Sequence, residues 1–171
     1  NLFGGAFLDT FNSIENILKN LHENNYDLDP LTKKELMERF TAGGIVNSGR
    51  YSDACDKMII YPDKNYKKDL ENSFDYDEMI KEWGNSPGNI MATDSNEFLI
   101  PGIVDGNIFI GLQPARGTNE DVEKSYHDKT MPPHHQYIAF YKWIKEEFKA
   151  DAIIHVGTHG TLEFLKGKEC G

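Results

Sequence analysis

The sequence predicts an α/β fold: a βαβ unit with parallel strands, preceded by a helical segment. Three observations carry this expectation. Residues 97–100 (EFLI) and 107–113 (NIFIGLQ) are apolar, β-favouring runs around a turn at 101–106, as strands are. Pro132 and Pro133 open a helix to about Lys149, with Ile138, Tyr141, Ile144 and Phe148 as its buried stripe. Ala152, Ile153 and Ile154 then form a short apolar run of the kind a parallel strand needs when helices cover both faces of its sheet. Strand, helix and strand within about fifty residues make a crossover that is almost always right-handed.

The elements ahead of this unit follow from capping and periodicity. Asp9 or Thr10 caps a helix to about Asn24, in which Phe11, Ile14, Ile17, Leu18 and Leu21 share one stripe. Thr32-Lys33-Lys34-Glu35 matches a capping box, Leu36, Met37 and Phe40 follow at helical spacing, and Gly43 and Gly44 end that second helix. Residues 45–72 are polar and weakly periodic, with Tyr61-Pro62-Asp63 as a turn signal, and read as short helices and loops. Residues 75–83 read as a short helix stopped by Gly84, and WGNSPGNIM after it is turn-rich. Asp105-Gly106 is a reverse turn. The organisation expected is a mostly helical segment over residues 1–95 and an α/β segment over 96–171, together one compact piece.

Composition narrows the function classes. With 171 residues the chain is long enough to bury a substantial core. Lys and Arg number 18 against 28 Asp and Glu, a formal net charge of −10, so the electrostatic footprint of a nucleic-acid binder is missing. No stretch approaches the roughly 18 consecutive apolar residues of a membrane span. Cys55 and Cys170 lie far apart and form no metal knuckle, which suits a reducing, cytoplasmic setting. The start at Asn1 and the stop at Gly171, just after an unfinished turn, suggest a piece of a larger polypeptide.

The chemistry concentrates in two stretches. In DAIIHVGTHGTLEFLKGK (151–168) an apolar run leads into His155, His159 and Glu163 at spacings of four, while Gly157 and Gly160 permit a sharp turn and close approach to a ligand. Imidazole is a common ligand for transition metals, and a nearby carboxylate orients it or moves protons. Residues 114–135 hold Arg116, Glu120, Asp121, Tyr126, His127, Asp128, His134 and His135. Each has a plainer reading as well. A histidine at a strand end caps or packs, Pro133 before His134 and His135 is an ordinary helix opening, Glu120-Asp121 is a solvated pair, and Glu163 is a helix-start residue. In the predicted topology both stretches leave the carboxyl edge of one sheet, which would bring His127, His134 or His135 into one cleft with His155, His159 and Glu163. His22 reads as an ordinary surface residue of the first helix.

GNIFIGLQPARG and YHDKTMPPHHQYIAFYKWIKEEFKADAIIHVGTHGTLEFLKGK resemble the core of the large subunit of the cobaltochelatase and magnesium chelatase family, of the CobN and magnesium-chelatase H type. The likeness is strong over residues 83–168, extends to the first helix, and is weak over 29–81. Lys166, Phe164 and Ala115 depart from the family pattern without removing a titratable group. Phe164 is seen on the magnesium side, whereas QPxRG and YHD resemble the cobalt side.

The resemblance implies ATP-driven insertion of a divalent metal, cobalt or magnesium as substrate, into a tetrapyrrole. A separate AAA+ ATPase and an adaptor subunit would hydrolyse the ATP, since this chain has no Walker loop. It further implies His155, His159 and Glu163 as metal-handling and catalytic groups, and Arg116, Tyr126, His127, His134 and His135 as groups toward the ring. Two other classes stay open from the residues alone. One is an independent zinc-type hydrolase built on His155 and His159; the other is a binding module whose histidines only shape an interface.

Overall fold

The computed structural model describes residues 8–47, 58–68, 70, 76–115 and 131–157. Helix α1 (Thr10–Glu23) starts where the Asp9 side chain accepts the Asn12 N–H at 3.1 Å. Helix α2 (Lys33–Ala42) starts at a complete capping box, in which Glu35 accepts the Thr32 N–H at 2.8 Å and Thr32 accepts the Glu35 N–H at 3.3 Å. The two helix starts are tied together. Lys33 Nζ pairs with Asp9 at 2.5 Å, and the Lys33 N–H donates to the Glu15 carboxylate at 2.6 Å.

Strands β1 (Ile59–Pro62), β2 (Ala92–Thr93) and β3 (Glu97–Ile100) form a sheet in the order β1-β3-β2, antiparallel throughout. Helix α3 (Asp63–Lys67) leaves β1 directly, and α4 (Tyr76–Trp83) runs to Gly84, whose φ of +75° suits glycine. Strands β4 (Gly102–Asp105) and β5 (Ile108–Gly111) pair as a second, antiparallel hairpin. It turns through Gly106, where φ is +54° and a Cβ would stand 2.1 Å from the Asp27 carbonyl oxygen. Helix α5 (His135–Glu146) follows.

β3 separates two apolar clusters by the two-residue period of a strand. Leu99 belongs to a cluster with Phe11, Leu18, Leu36 and Phe40 of the first two helices. Phe98 and Ile100 belong to the other, with Tyr61, Tyr66 and Phe140, Trp143 and Ile144 of α5. The sheet therefore lies between an α1/α2 layer and α5. Phe98, fully buried, contributes about 2 to 3 kcal/mol by removal of its ring from water.

The mixed α/β character stands, and several details of the sequence reading are corrected. The parallel βαβ unit is not formed among the described residues, where every ladder is antiparallel and 152–156 carries none. The physical reason is cover: Ile153 is 53% and Ile154 64% exposed, whereas a parallel strand needs both faces buried. Within residues 45–72, expected as short helices and loops, α3 is such a short helix, but residues 59–62, with their Tyr61-Pro62 turn signal, are the strand β1. Pro62 is tolerated because it ends an edge strand. Residues 102–105, expected within a turn, are β4. Helix α5 is shorter than 132–149, and Tyr137, Phe140, Trp143 and Ile144 are buried while Ile138 and Tyr141 are only partly so.

Candidate functional site

The start of α5 gathers three separate stretches of chain. His134 is the N-cap, in extended backbone at φ −72° and ψ 164°, and its Nδ1 accepts the Tyr137 N–H at 3.2 Å. That leaves the ring proton on Nε2, which donates to the Ala115 carbonyl at 2.6 Å. His135 has the same tautomer by the same logic. Its Nε2 faces the Gly84 carbonyl at 2.8 Å and must donate, so Nδ1 accepts from the Tyr66 hydroxyl at 2.8 Å. Trp83 Nε1–H donates to the Pro132 carbonyl at 2.9 Å, and its ring meets His134 edge-on with centroids 5.9 Å apart.

Both histidines are 2% exposed. Burial pushes His134 down to about 4, against the pull of its bond to Ala115, with His135 a lesser charge opposing its protonation. His135 is also lowered, chiefly by burial, with the Gly84 bond working the other way. Burial raises the Tyr66 hydroxyl, keeping it a donor. Both imidazoles are therefore neutral at pH 7, and in this arrangement neither has a ring nitrogen free for a metal or a macrocycle.

The exit from β5 is held just as firmly. The Leu112 N–H donates to the Pro101 carbonyl at 2.9 Å. Asn47 Nδ2 donates to the Gln113 carbonyl at 2.8 Å, and the Asn47 carbonyl accepts the Ala115 N–H at 3.2 Å. Gln113 Nε2 donates to the Tyr141 hydroxyl at 2.5 Å. Neither Asn47 nor Tyr66 was legible in the sequence as a site residue. Both lie in stretches without strong periodicity, and only the fold brings them to the start of α5.

His155 is exposed and enters none of these bonds. Arg116, Tyr126, His127, His159 and Glu163 lie outside the described residues, and so does the expected meeting of the two histidine groups in one cleft. Among the described residues no three His, Cys, Asp or Glu side chains gather to hold an ion. No helix of the described residues is long and apolar enough to cross a membrane. His22 is exposed, as read from the sequence, and its Nδ1 bonds the Leu28 carbonyl at 3.0 Å.

The sequence family described as CobN/Magnesium Chelatase matches residues 1–171. The chain is 32% identical over 174 residues to the chloroplastic magnesium-chelatase subunit ChlH of Oryza sativa, covering 100% of this chain and 12% of that protein. It is 33% identical over 171 residues to the aerobic cobaltochelatase subunit CobN of Pseudomonas aeruginosa, covering 98% of this chain and 14% of that one. Among solved structures, the catalytic subunit of cobaltochelatase from Mycobacterium tuberculosis superposes with a TM-score of 0.74 at 26% identity, over 94% of this chain and 14% of that one. The chain thus spans about one eighth of the length of the curated relatives it matches.

Proposed function

Because the chain belongs to the CobN/Magnesium Chelatase family, we propose that it is part of the tetrapyrrole-binding large subunit of an ATP-dependent chelatase that inserts a divalent metal into the ring. The observation that carries this reading is the family match over the whole chain. We favour cobalt and a place in cobalamin biosynthesis, on the strength of Gln113-Pro114-Ala115-Arg116-Gly117 and Tyr126-His127-Asp128. Magnesium insertion into protoporphyrin IX is the second reading, favoured by Phe164 and by the likeness to the rice subunit. The proposed setting is the cytoplasm. An AAA+ ATPase and an adaptor subunit supply the ATP chemistry, and this segment alone is inactive.

Insertion exchanges one divalent ion for the two protons on pyrrole nitrogens, so the site has to hold the ion, orient the ring and accept protons. In our reading His155, His159 and Glu163 hold the incoming ion, and Glu163 takes a pyrrole proton. Arg116, Tyr126 and His127 face the ring. His134 and His135 serve ring binding from behind, since their nitrogens hold the Ala115 and Gly84 carbonyls.

The test is Glu163→Gln in the full-length subunit with its partners, which keeps size and hydrogen bonding but removes the charge. Ring affinity should stay near normal while insertion falls by about two orders of magnitude, the low end of general-base contributions. Unchanged insertion at matched ring occupancy would show that Glu163 only starts a helix. An independent zinc hydrolase would instead carry stoichiometric zinc and cleave a generic ester.

A further inference from the structure

We propose that residues 152–156 are a docking strand, which pairs with the edge of a helix-covered sheet formed elsewhere in the full-length protein. The proposal rests on the family and on the length of its members, and it is independent of which metal or ring is handled. Ala152, Ile153, Ile154, His155 and Val156 belong to no helix, turn or ladder. Ile153 is 53% and Ile154 64% exposed, side by side in a chain of net charge −10. The other exposed large apolar side chains, Tyr26, Ile60 and Val104, stand singly in the sequence, which is ordinary for a surface. A natural sheet edge left to water is protected by charge or proline, and residues 152–156 contain no Lys, Arg, Asp, Glu or Pro.

The start of the run is held by the fold. At the end of α5 the Phe148 N–H donates to the Trp143 carbonyl at 3.0 Å, and the Ala150 N–H donates to the Ile144 carbonyl at 3.1 Å. Phe148 stacks on Trp143 with ring centroids 5.7 Å apart. Lys149 takes a φ of +59°, which a residue with a side chain adopts only where its surroundings impose it. The chain is therefore turned and fixed up to Ala150, two residues before the run begins.

The pattern of the run selects what covers it. Successive side chains of a strand point to opposite faces, so Ile153 and Ile154 cannot both be buried by a partner that covers one face. A second copy pairing strand to strand would satisfy the backbone and leave both faces bare. A sheet with helices on each face buries both. The described sheets of this chain do not supply it, since both are antiparallel and 152–156 pairs with neither. This chain spans 12% and 14% of two curated relatives, so a full-length member has ample further chain to build such a sheet. Docked there, His155 lies close to the carboxyl end of its strand, the edge at which parallel α/β sheets hold their ligands.

The test is amide exchange of the wild-type full-length protein, read by mass spectrometry. Residues 152–156 should exchange at least about a hundredfold more slowly than unstructured chain, as the paired strand β3 does in the same sample. Exchange at the unstructured rate while β3 stays protected would overturn the proposal. Ile153→Lys and Ile154→Lys put a charge on opposite faces of the strand. Each should speed exchange at 152–156 by about tenfold or more and leave β3 unchanged. A lysine tolerated on either face would show that this face is open, against the two-sided cover. Should a lysine unfold β3 as well, the wild-type measurement still decides. A photo-crosslinking benzoylphenylalanine in place of Ile154 should link within one polypeptide, to residues outside 1–171. Links between copies, or links confined to residues 1–171, would overturn the choice of partner.

Discussion

Acidification from pH 7 to pH 5 should loosen the fold at the start of α5, and the size of the effect can be worked from His134. In the unfolded chain its imidazole titrates near 6.5; in the folded chain burial holds it down to about 4. The folded value is depressed, so the unfolded state binds the proton more tightly. The stability that His134 contributes is complete above about 6.5 and is lost as the pH falls toward 4. The whole difference amounts to about 3 kcal/mol, at 1.36 kcal/mol for each tenfold change, and about 2 kcal/mol of it should be gone by pH 5. His135 shifts in the same direction, chiefly by burial, with the Gly84 bond and Asp63 favouring its charged form and Lys67 disfavouring it. The assay is urea unfolding followed by tryptophan fluorescence at pH 7, 6 and 5, compared with His134→Asn, which has no proton to gain. Wild-type stability that is flat across this range, or a variant with the same slope, would refute the reasoning.

Tyr66→Phe should cost about 1 to 3 kcal/mol in the same unfolding assay, because the His135 Nδ1 would then be a buried acceptor without its 2.8 Å donor. Cost below a few tenths of a kcal/mol would mean that this bond is not formed. Gly106→Ala should destabilise the chain by more than about 1 kcal/mol, since φ is +54° and the new Cβ would collide with the Asp27 carbonyl at 2.1 Å. A melting temperature equal to the parent's would show that the β4–β5 turn is placed differently.

How much of the fold was legible depended on whether the signal was local. Thr32 and Glu35 three residues apart are a local code, and the capping box formed as read. Asp9 as a cap, Gly84 as a helix stop and the turn at Gly106 are of the same kind. β1 was missed because Ile59, Ile60 and Tyr61 have meaning only against β3, with Tyr61 opposite Phe98. The apolar run at 152–154 was over-read for the converse reason. Periodicity says that such a run suits a strand, but a strand forms only where a partner edge and cover are present. The buried face of α5 was misplaced by a fraction of a turn, since two apolar stripes lie close together on that helix. The sheet selected the one containing Phe140 and Trp143.

The candidate site shows the same limit in its chemistry. A histidine in a sequence announces a group with two nitrogens that can donate, accept or bind a metal, and nothing in spacing says which of these the fold will use. At His134 and His135 the answer is read from the partners. A backbone N–H on one nitrogen and a carbonyl on the other leave His134 a neutral imidazole with no lone pair to spare. At His135 a hydroxyl replaces the N–H and the outcome is the same. Such a residue can still matter greatly to a ligand, but by holding backbone in place. His155 differs in kind, being exposed and outside this network. Among the described residues the adjacent pair His134-His135 therefore belongs with the scaffold, holding the Ala115 and Gly84 carbonyls.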